Sequence, residues 1–76
     1  MAIMGFTKRG TVWITPNGKG YVERVVMESG GYKGYEKPGT VMWYIGPIDR
    51  EGRLREADGT YTYKSDALRF CLATYR

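Results

Sequence analysis

Residues 11–27 have the sequence TVWITPNGKGYVERVVM. The first five are all β-branched or aromatic, which is typical of a strand, and Val12 and Ile14 alternate with Trp13 along it. The PNGKG segment that follows is dense in turn residues, and its Asn-Gly dipeptide suits the positive φ of a hairpin turn. Residues 21–27 supply the returning strand. The pattern predicts a β-hairpin with Val12 and Ile14 on one face and Trp13 on the other.

Further strand segments lie beyond this hairpin. Residues 40–45 are apolar on both faces, which is typical of a central strand. Residues 53–57 are charged and suit an edge strand, whereas 60–64 alternate with Tyr61 and Tyr63 on one face. Turn segments that contain glycine separate them. The sequence therefore predicts four to five antiparallel strands, with Tyr61 and Tyr63 directed at the core.

A C-terminal helix is predicted from Asp66 to Tyr75, with Ser65 or Asp66 as its N-cap. An apolar stripe covers an arc of about 140° on this helix. The stripe consists of Ala67, Leu68, Cys71, Leu72 and Tyr75. Because a helix of three turns is marginal alone, we expect the stripe to pack on the sheet.

One domain accounts for the chain, since 76 residues are close to the minimum for a single hydrophobic core. The predicted fold class is α+β, a small antiparallel β-meander packed against one C-terminal α-helix. Residues 1–10 are predicted as an N-terminal arm, 11–64 as the sheet and 65–76 as the helix. A glycine-tyrosine loop, residues 28–40, interrupts the sheet.

The order of strand, turn, strand and capped helix in the C-terminal half resembles the modules of integrase arm-binding and related DNA-binding domains. Those modules consist of a three-stranded sheet and a helix, and their sheets enter the major groove. The resemblance covers about half of the chain and rests on the order of the elements. It implies a DNA-binding architecture and assigns no contact residues.

The glycine-tyrosine loop carries the clearest functional signal. Its segment GGYKGYEKPG, residues 30–39, contains four glycines and a proline, which disfavour a helix or a central strand. Its two tyrosines and two lysines are therefore expected at the surface. A strand pattern follows the glycines where a phosphate-cradling loop needs a helix, so a nucleotide loop is excluded.

Catalytic and metal-binding chemistry is not expected in this chain. There is no histidine, and the one cysteine, Cys71, lies on the predicted apolar stripe as a core residue. A hydrolytic triad and zinc or iron sites built on His and Cys are therefore excluded. The nearest acidic pair, Asp49 and Glu51, is explained as part of a turn. We predict a non-enzymatic protein with no cofactor and no metal.

The expected location is cytoplasmic. A single cysteine permits no intrachain disulfide, which suits a reducing compartment. No stretch approaches the ~20 apolar residues that span a bilayer, so a membrane partner is not expected.

Charge and aromatic content favour nucleic acid as the partner. Twelve Lys and Arg against eight Asp and Glu give a net charge of +4, and the excess lies mainly in residues 1–40. Tyrosine rings stack on bases, while lysine and arginine neutralise phosphates. We predict a nucleic-acid-binding module whose contact residues are Lys8, Arg9, Lys19, Arg24, Tyr32, Lys33, Tyr35 and Lys37.

Two other hypotheses fit the same sequence. One is an accessory protein of the phage or mobile-element type, which binds a host protein, for example a nucleic-acid-processing or defence complex, and inhibits or adapts it. Exposed tyrosines suit such a protein interface. The other is a homo-oligomer joined through the 53–57 edge or through an exposed Trp13 face.

Overall fold

The computed structural model describes residues 5–26 and 39–76. Five strands form one antiparallel sheet in the order β1-β2-β3-β4-β5, and a helix follows them. The elements are β1 (Thr7–Arg9), β2 (Val12–Ile14), β3 (Gly20–Val26), β4 (Val41–Pro47), β5 (Gly59–Tyr61) and α1 (Lys64–Thr74). The predicted α+β class, an antiparallel meander with one C-terminal helix, is confirmed.

The predicted hairpin forms between β2 and β3, where Trp13 pairs with Val22. In the turn, the Gly18 amide donates to the Thr15 carbonyl at 2.9 Å, and Gly18 has a φ of 73°. Glycine adopts this left-handed conformation without a steric penalty. The Asn17 Oδ1 accepts from the backbone N–H of Lys19, and the Asn17 Nδ2 donates to the carbonyl of Tyr75 at 2.9 Å. Local turn chemistry shapes this connection, and the Asn17 side chain ties it to the end of α1.

One face of the sheet, which we call the helix face, is covered by α1. Trp13, Val22 and Ile45 are Cα partners across β2, β3 and β4, and all three belong to the core cluster. Trp13 is only 6% exposed, so the prediction of an exposed Trp13 face is wrong. The indole has the larger apolar area to bury, and Val12 and Ile14 lie half-buried on the opposite face. A homo-oligomer joined through exposed Trp13 therefore loses its basis.

Residues 5–10 are part of the fold, although residues 1–10 are predicted as an arm; residues 1–4 lie outside the described residues. Strand β1 pairs with β2, with Arg9 opposite Val12, through a two-residue turn at Gly10-Thr11. Gly10 has a φ of 61°, as tight hairpin turns require of their first central residue. Phe6, directly before β1, has no exposed surface and lies in the core cluster.

The predicted edge strand at 53–57 does not form. Within it, Leu54 makes one isolated bridge to Ile48, and β1 and β5 are the edges of the sheet. Asp49 organises this loop, because its Oδ1 accepts from the backbone N–H of Arg53 at 2.9 Å and from that of Glu51. The Arg55 and Asp58 N–H groups donate to the Pro47 and Ile45 carbonyls of β4, so the loop is bonded to the sheet without a regular ladder. The DNA-binding resemblance rests on the order of strand, turn, strand and helix. The first of these strands, at 53–57, is not formed.

Helix α1 begins two residues earlier than predicted. Its N-cap is Tyr63, which makes no side-chain cap hydrogen bond, and Ser65 and Asp66 lie inside the first turn. The Asp66 carboxylate is favourable there because it faces the positive end of the helix dipole. Tyr63 is 68% exposed whereas Tyr61 packs against the core, so the predicted inward direction is correct for Tyr61 alone.

The predicted apolar stripe of α1 is confirmed. Ala67, Leu68 and Cys71 are buried, and Tyr75 and its neighbour Leu72 pack against the core. Burial raises the pKa of the Cys71 thiol to about 11, so Cys71 is a core residue and lacks the thiolate character of a reactive cysteine. The pKa of the Tyr75 hydroxyl is raised, mainly because the residue is partly buried. The hydrogen bond that this hydroxyl donates to Asp58 raises the pKa further.

Candidate nucleic-acid interface

Three cations lie on the helix face around the rings of Trp13 and Trp43. Lys64 Nζ lies 4.3 Å from the ring centroid of Trp13 and 5.8 Å from that of Trp43. Lys8 Nζ lies 5.3 Å from the Trp13 centroid, and Arg24 is the Cα partner of Trp43 on the neighbouring strand. We call Lys8, Arg24 and Lys64 the cation cluster.

Strand alternation and the early start of α1 bring this cluster together. Lys8 is the Cα partner of Trp13, and Arg24 lies two residues along β3 from buried Val22, so both are on the helix face. Lys64 is the first residue of α1. Ammonium groups within about 6 Å of an indole ring are held by the negative face of its π system. The tryptophan rings thus position the two lysines.

Acidic groups are scarce around the cation cluster. No Asp or Glu occupies a strand position on the helix face among the described residues. The acidic residue of α1, Asp66, has Oδ1 3.8 Å from Nη2 of Arg69. By contrast, the loop at 48–58 carries three basic and four acidic residues. A local positive excess therefore marks the cation cluster, as a phosphate-binding surface requires.

The structure separates the eight residues predicted to contact a partner. Lys8 and Arg24 join the cation cluster. Arg9 follows Lys8 in β1 and therefore lies on the opposite face of the sheet. Lys19 lies in the β2–β3 turn, where its Nζ donates to the carbonyl of Arg76 at 3.3 Å. The other four, Tyr32, Lys33, Tyr35 and Lys37, are outside the described residues.

Four aromatic side chains extend from the cation cluster across the sheet to the helix. The rings of Trp13 and Trp43 have centroids 5.5 Å apart at an interplanar angle of 59°, and Trp43 is the Cα partner of Tyr61. Tyr61 and Phe70 stack with centroids 5.2 Å apart at 7°. We call Trp13, Trp43, Tyr61 and Phe70 the aromatic row.

Lys64 and the aromatic row are not among the residues that the sequence predicts for the site. Lys64 was assigned to a strand, and no local pattern links Trp43 to Tyr61 or Phe70. The cross-strand register brings these residues together, and only β4 with its apolar composition on both faces gave a partial signal that Trp43 lies in the sheet centre.

The interface is an open surface. The described residues enclose no pocket, and within 5–26 and 39–76 no three His, Cys, Asp or Glu side chains are grouped to hold a metal ion. The one helix in the described part of the chain is too short and too polar to cross a membrane. Comparisons of the chain with protein-family models, with curated proteins and with solved structures find no match in any of the three.

Proposed function

We propose that this protein binds nucleic acid through the cation cluster and catalyses no reaction. The observation that carries the proposal is that Lys8 and Lys64 lie over tryptophan rings and Arg24 is the Cα partner of Trp43, on a face whose described strand positions hold no carboxylate. Lysine and arginine displace counterions from phosphates, which drives binding without any need for base contacts. Trp43, which is half-buried beside the cations, leaves part of its ring surface open to contact with a base.

The predicted tyrosine-lysine segment adds a second argument for the same surface. Val26 and Val41 are Cα partners at the end of the sheet next to Arg24. The connection between them carries Tyr32, Lys33, Tyr35 and Lys37, and it leaves and rejoins the sheet beside the cation cluster. These four residues remain predicted contacts of the same ligand.

Neutralising the cation cluster is expected to weaken binding and its dependence on salt. The variants are Lys8→Gln, Arg24→Gln and Lys64→Gln. Each lost phosphate contact makes the negative slope of log K against log salt shallower, by about 0.7 for single strands or about 0.9 for duplex DNA. Fluorescence anisotropy with labelled oligonucleotides at several salt concentrations measures this slope.

Two neighbouring cations provide matched controls. Arg9→Gln removes the same charge from the residue next to Lys8 but on the opposite face, and Lys19→Gln removes it from the distant turn. Both variants should keep the slope of the wild-type chain. Absence of binding at low salt, or equal losses in cluster and control variants, would contradict the proposal.

The opposite face of the sheet favours a second candidate function, docking on another protein. Its strand positions include five half-buried apolar side chains, Val12, Ile14, Val25, Met42 and Tyr44. Glu23 lies among them as the Cα partner of Val12 and of Tyr44, so this surface is apolar with a carboxylate inside it. Apolar surface that adjoins polar side chains is typical of protein interfaces. The accessory protein of the phage or mobile-element type would use this face to bind its host protein.

Substitutions on the opposite face separate the two functions. We expect Val12→Ser with Met42→Ser to abolish a stoichiometric protein partner that survives nuclease treatment, and to leave the affinity for oligonucleotides unchanged. Affinity capture and anisotropy on the same variant give both measurements. A partner captured equally well by this variant and by the wild-type chain would count against docking on this face.

A further inference from the structure

The exposure of the aromatic row rises steadily away from the cation cluster. Trp13 is 6% exposed, Trp43 and Tyr61 are half-buried, and Phe70 is 46% exposed. Phe70 lies outside the apolar stripe of α1, whose fully buried members are Ala67, Leu68 and Cys71. Phe70 stacks on Tyr61, and nearly half of the residue stays exposed.

The geometry of Phe70 suits a stacking partner. Its ring lies nearly parallel to that of Tyr61, at an interplanar angle of 7°, so one face is covered and the exposed surface includes the other. Parallel, offset stacking is also the way in which aromatic side chains receive nucleobases. From this geometry we infer that an unpaired base stacks on Phe70 and extends the Tyr61–Phe70 pair, which makes the protein selective for single strands.

The charges around the row agree with a single strand that crosses it. The cation cluster binds phosphates at the Trp13 end of the aromatic row. At the other end, Arg69 precedes Phe70 in α1. The Arg69 side chain is 70% exposed, and its contact with Asp66 at 3.8 Å is a surface pair of the kind that contributes little. A phosphate can therefore replace the carboxylate. A duplex presents phosphates as well, but the faces of its bases are covered by their neighbours.

The inference rests on the proposed function and is tested with Phe70→Leu. This change removes the aromatic face but keeps an apolar side chain with good helix propensity. Binding of an oligothymidylate of about ten nucleotides, within the ~4–16 that small single-strand-binding folds cover, is compared with binding of a duplex of equal length. We expect the wild-type chain to prefer the single strand. We expect Phe70→Leu to weaken single-strand binding about five- to hundredfold, with its salt slope and its duplex affinity unchanged.

Two further variants keep the test specific. Phe70→Trp should bind the single strand at least as well as the wild-type chain, because a larger ring is available for stacking. Leu54→Ala removes another exposed apolar side chain, in the loop at 48–58, and should have no effect. Circular dichroism of each variant establishes that α1 is intact.

The possible failures are distinguishable. If Phe70→Leu binds the single strand like the wild-type chain while the cation-cluster variants lose affinity, the stacking inference is wrong and the proposed function stands. Equal affinity of the wild-type chain for single strand and duplex likewise overturns the inference alone. If neither oligonucleotide binds at low salt, both are wrong.

Discussion

Replacing Phe6 with alanine is expected to lower the free energy of unfolding by about 3–5 kcal/mol. Phe6 has no exposed surface and is among the largest fully buried side chains of the described residues. Its ring belongs to one cluster with Trp13, Val22 and Cys71. The substitution therefore leaves a cavity between the sheet and the helix, which neighbouring side chains fill only in part. Small domains lie near the lower end of the ~5–15 kcal/mol stability of native proteins. The variant is thus expected to be partly unfolded at room temperature.

Chemical denaturation followed by tryptophan fluorescence measures this loss. Phe70→Ala is the matched control, because the same atoms are removed from a side chain that is 46% exposed. Its expected loss is about 0.5–1.5 kcal/mol, from the stacking with Tyr61. Equal losses in the two variants would show that Phe6 is not part of the core.

Phe6 also shows where the sequence was insufficient. The Arg9-Gly10-Thr11-Val12 segment contains a turn signal, because glycine at the first central position suits a primed hairpin turn. The residues before it, Thr7 to Arg9, are all polar, so they show no alternation of apolar and polar side chains. In the structure all three are exposed. An edge strand with one pairing neighbour needs no apolar pattern of its own. Within the predicted arm, Thr7–Arg9 instead form β1, which is specified by pairing with β2.

Elements with strong local signals were predicted closely. The β2–β3 hairpin is encoded by its turn residues, β4 by an apolar run, and the buried stripe of α1 by its helical period. The face of β2 was predicted wrongly, because alternation defines two faces and does not say which one the helix covers. The start of α1 was missed because Ser65 and Asp66 are good caps locally, whereas the structure places Lys64 against Trp13 and Trp43.

The candidate site was predictable only in part. Lys8 and Arg24 were identified from charge, and the structure brings both to the helix face. Lys64 and Phe70 carry no signal in the sequence that separates them from ordinary surface residues of a helix. Their place in the site depends on the order of the strands and on the packing of α1. Both are long-range properties that composition and periodicity do not contain.

Replacing Gly46 with alanine is the second change with a large expected effect. Gly46 and Tyr21 are Cα partners on β4 and β3, and a Cβ at residue 46 would lie 2.6 Å from the ring of Tyr21. This ring cannot bend away, because it is rigid and its hydroxyl donates to the Arg55 carbonyl at 2.6 Å. An aromatic ring that covers a cross-strand glycine stabilises the sheet by filling the space above it. We expect a loss of about 2–4 kcal/mol, from overpacking and from the broken hydrogen bond.

Gly59→Ala is the control that separates this clash from a general effect of alanine in the sheet. Gly59 is also a strand glycine, but its Cβ would lie 3.6 Å from Ile45, an ordinary contact. We expect this variant to be neutral or more stable by up to about 1 kcal/mol, since alanine loses less backbone entropy on folding than glycine. Thermal unfolding of both variants measures the difference.

A double-mutant cycle attributes the loss to Tyr21. Leucine at position 21 lacks the ring atoms that approach Gly46, so Gly46→Ala should cost less than about 0.5 kcal/mol in a Tyr21→Leu background. An undiminished cost there would mean that the backbone at Gly46, and not the ring above it, requires glycine. The expected result instead assigns the requirement for glycine at position 46 to the ring of Tyr21, whose hydroxyl also donates to the Arg55 carbonyl in the loop at 48–58.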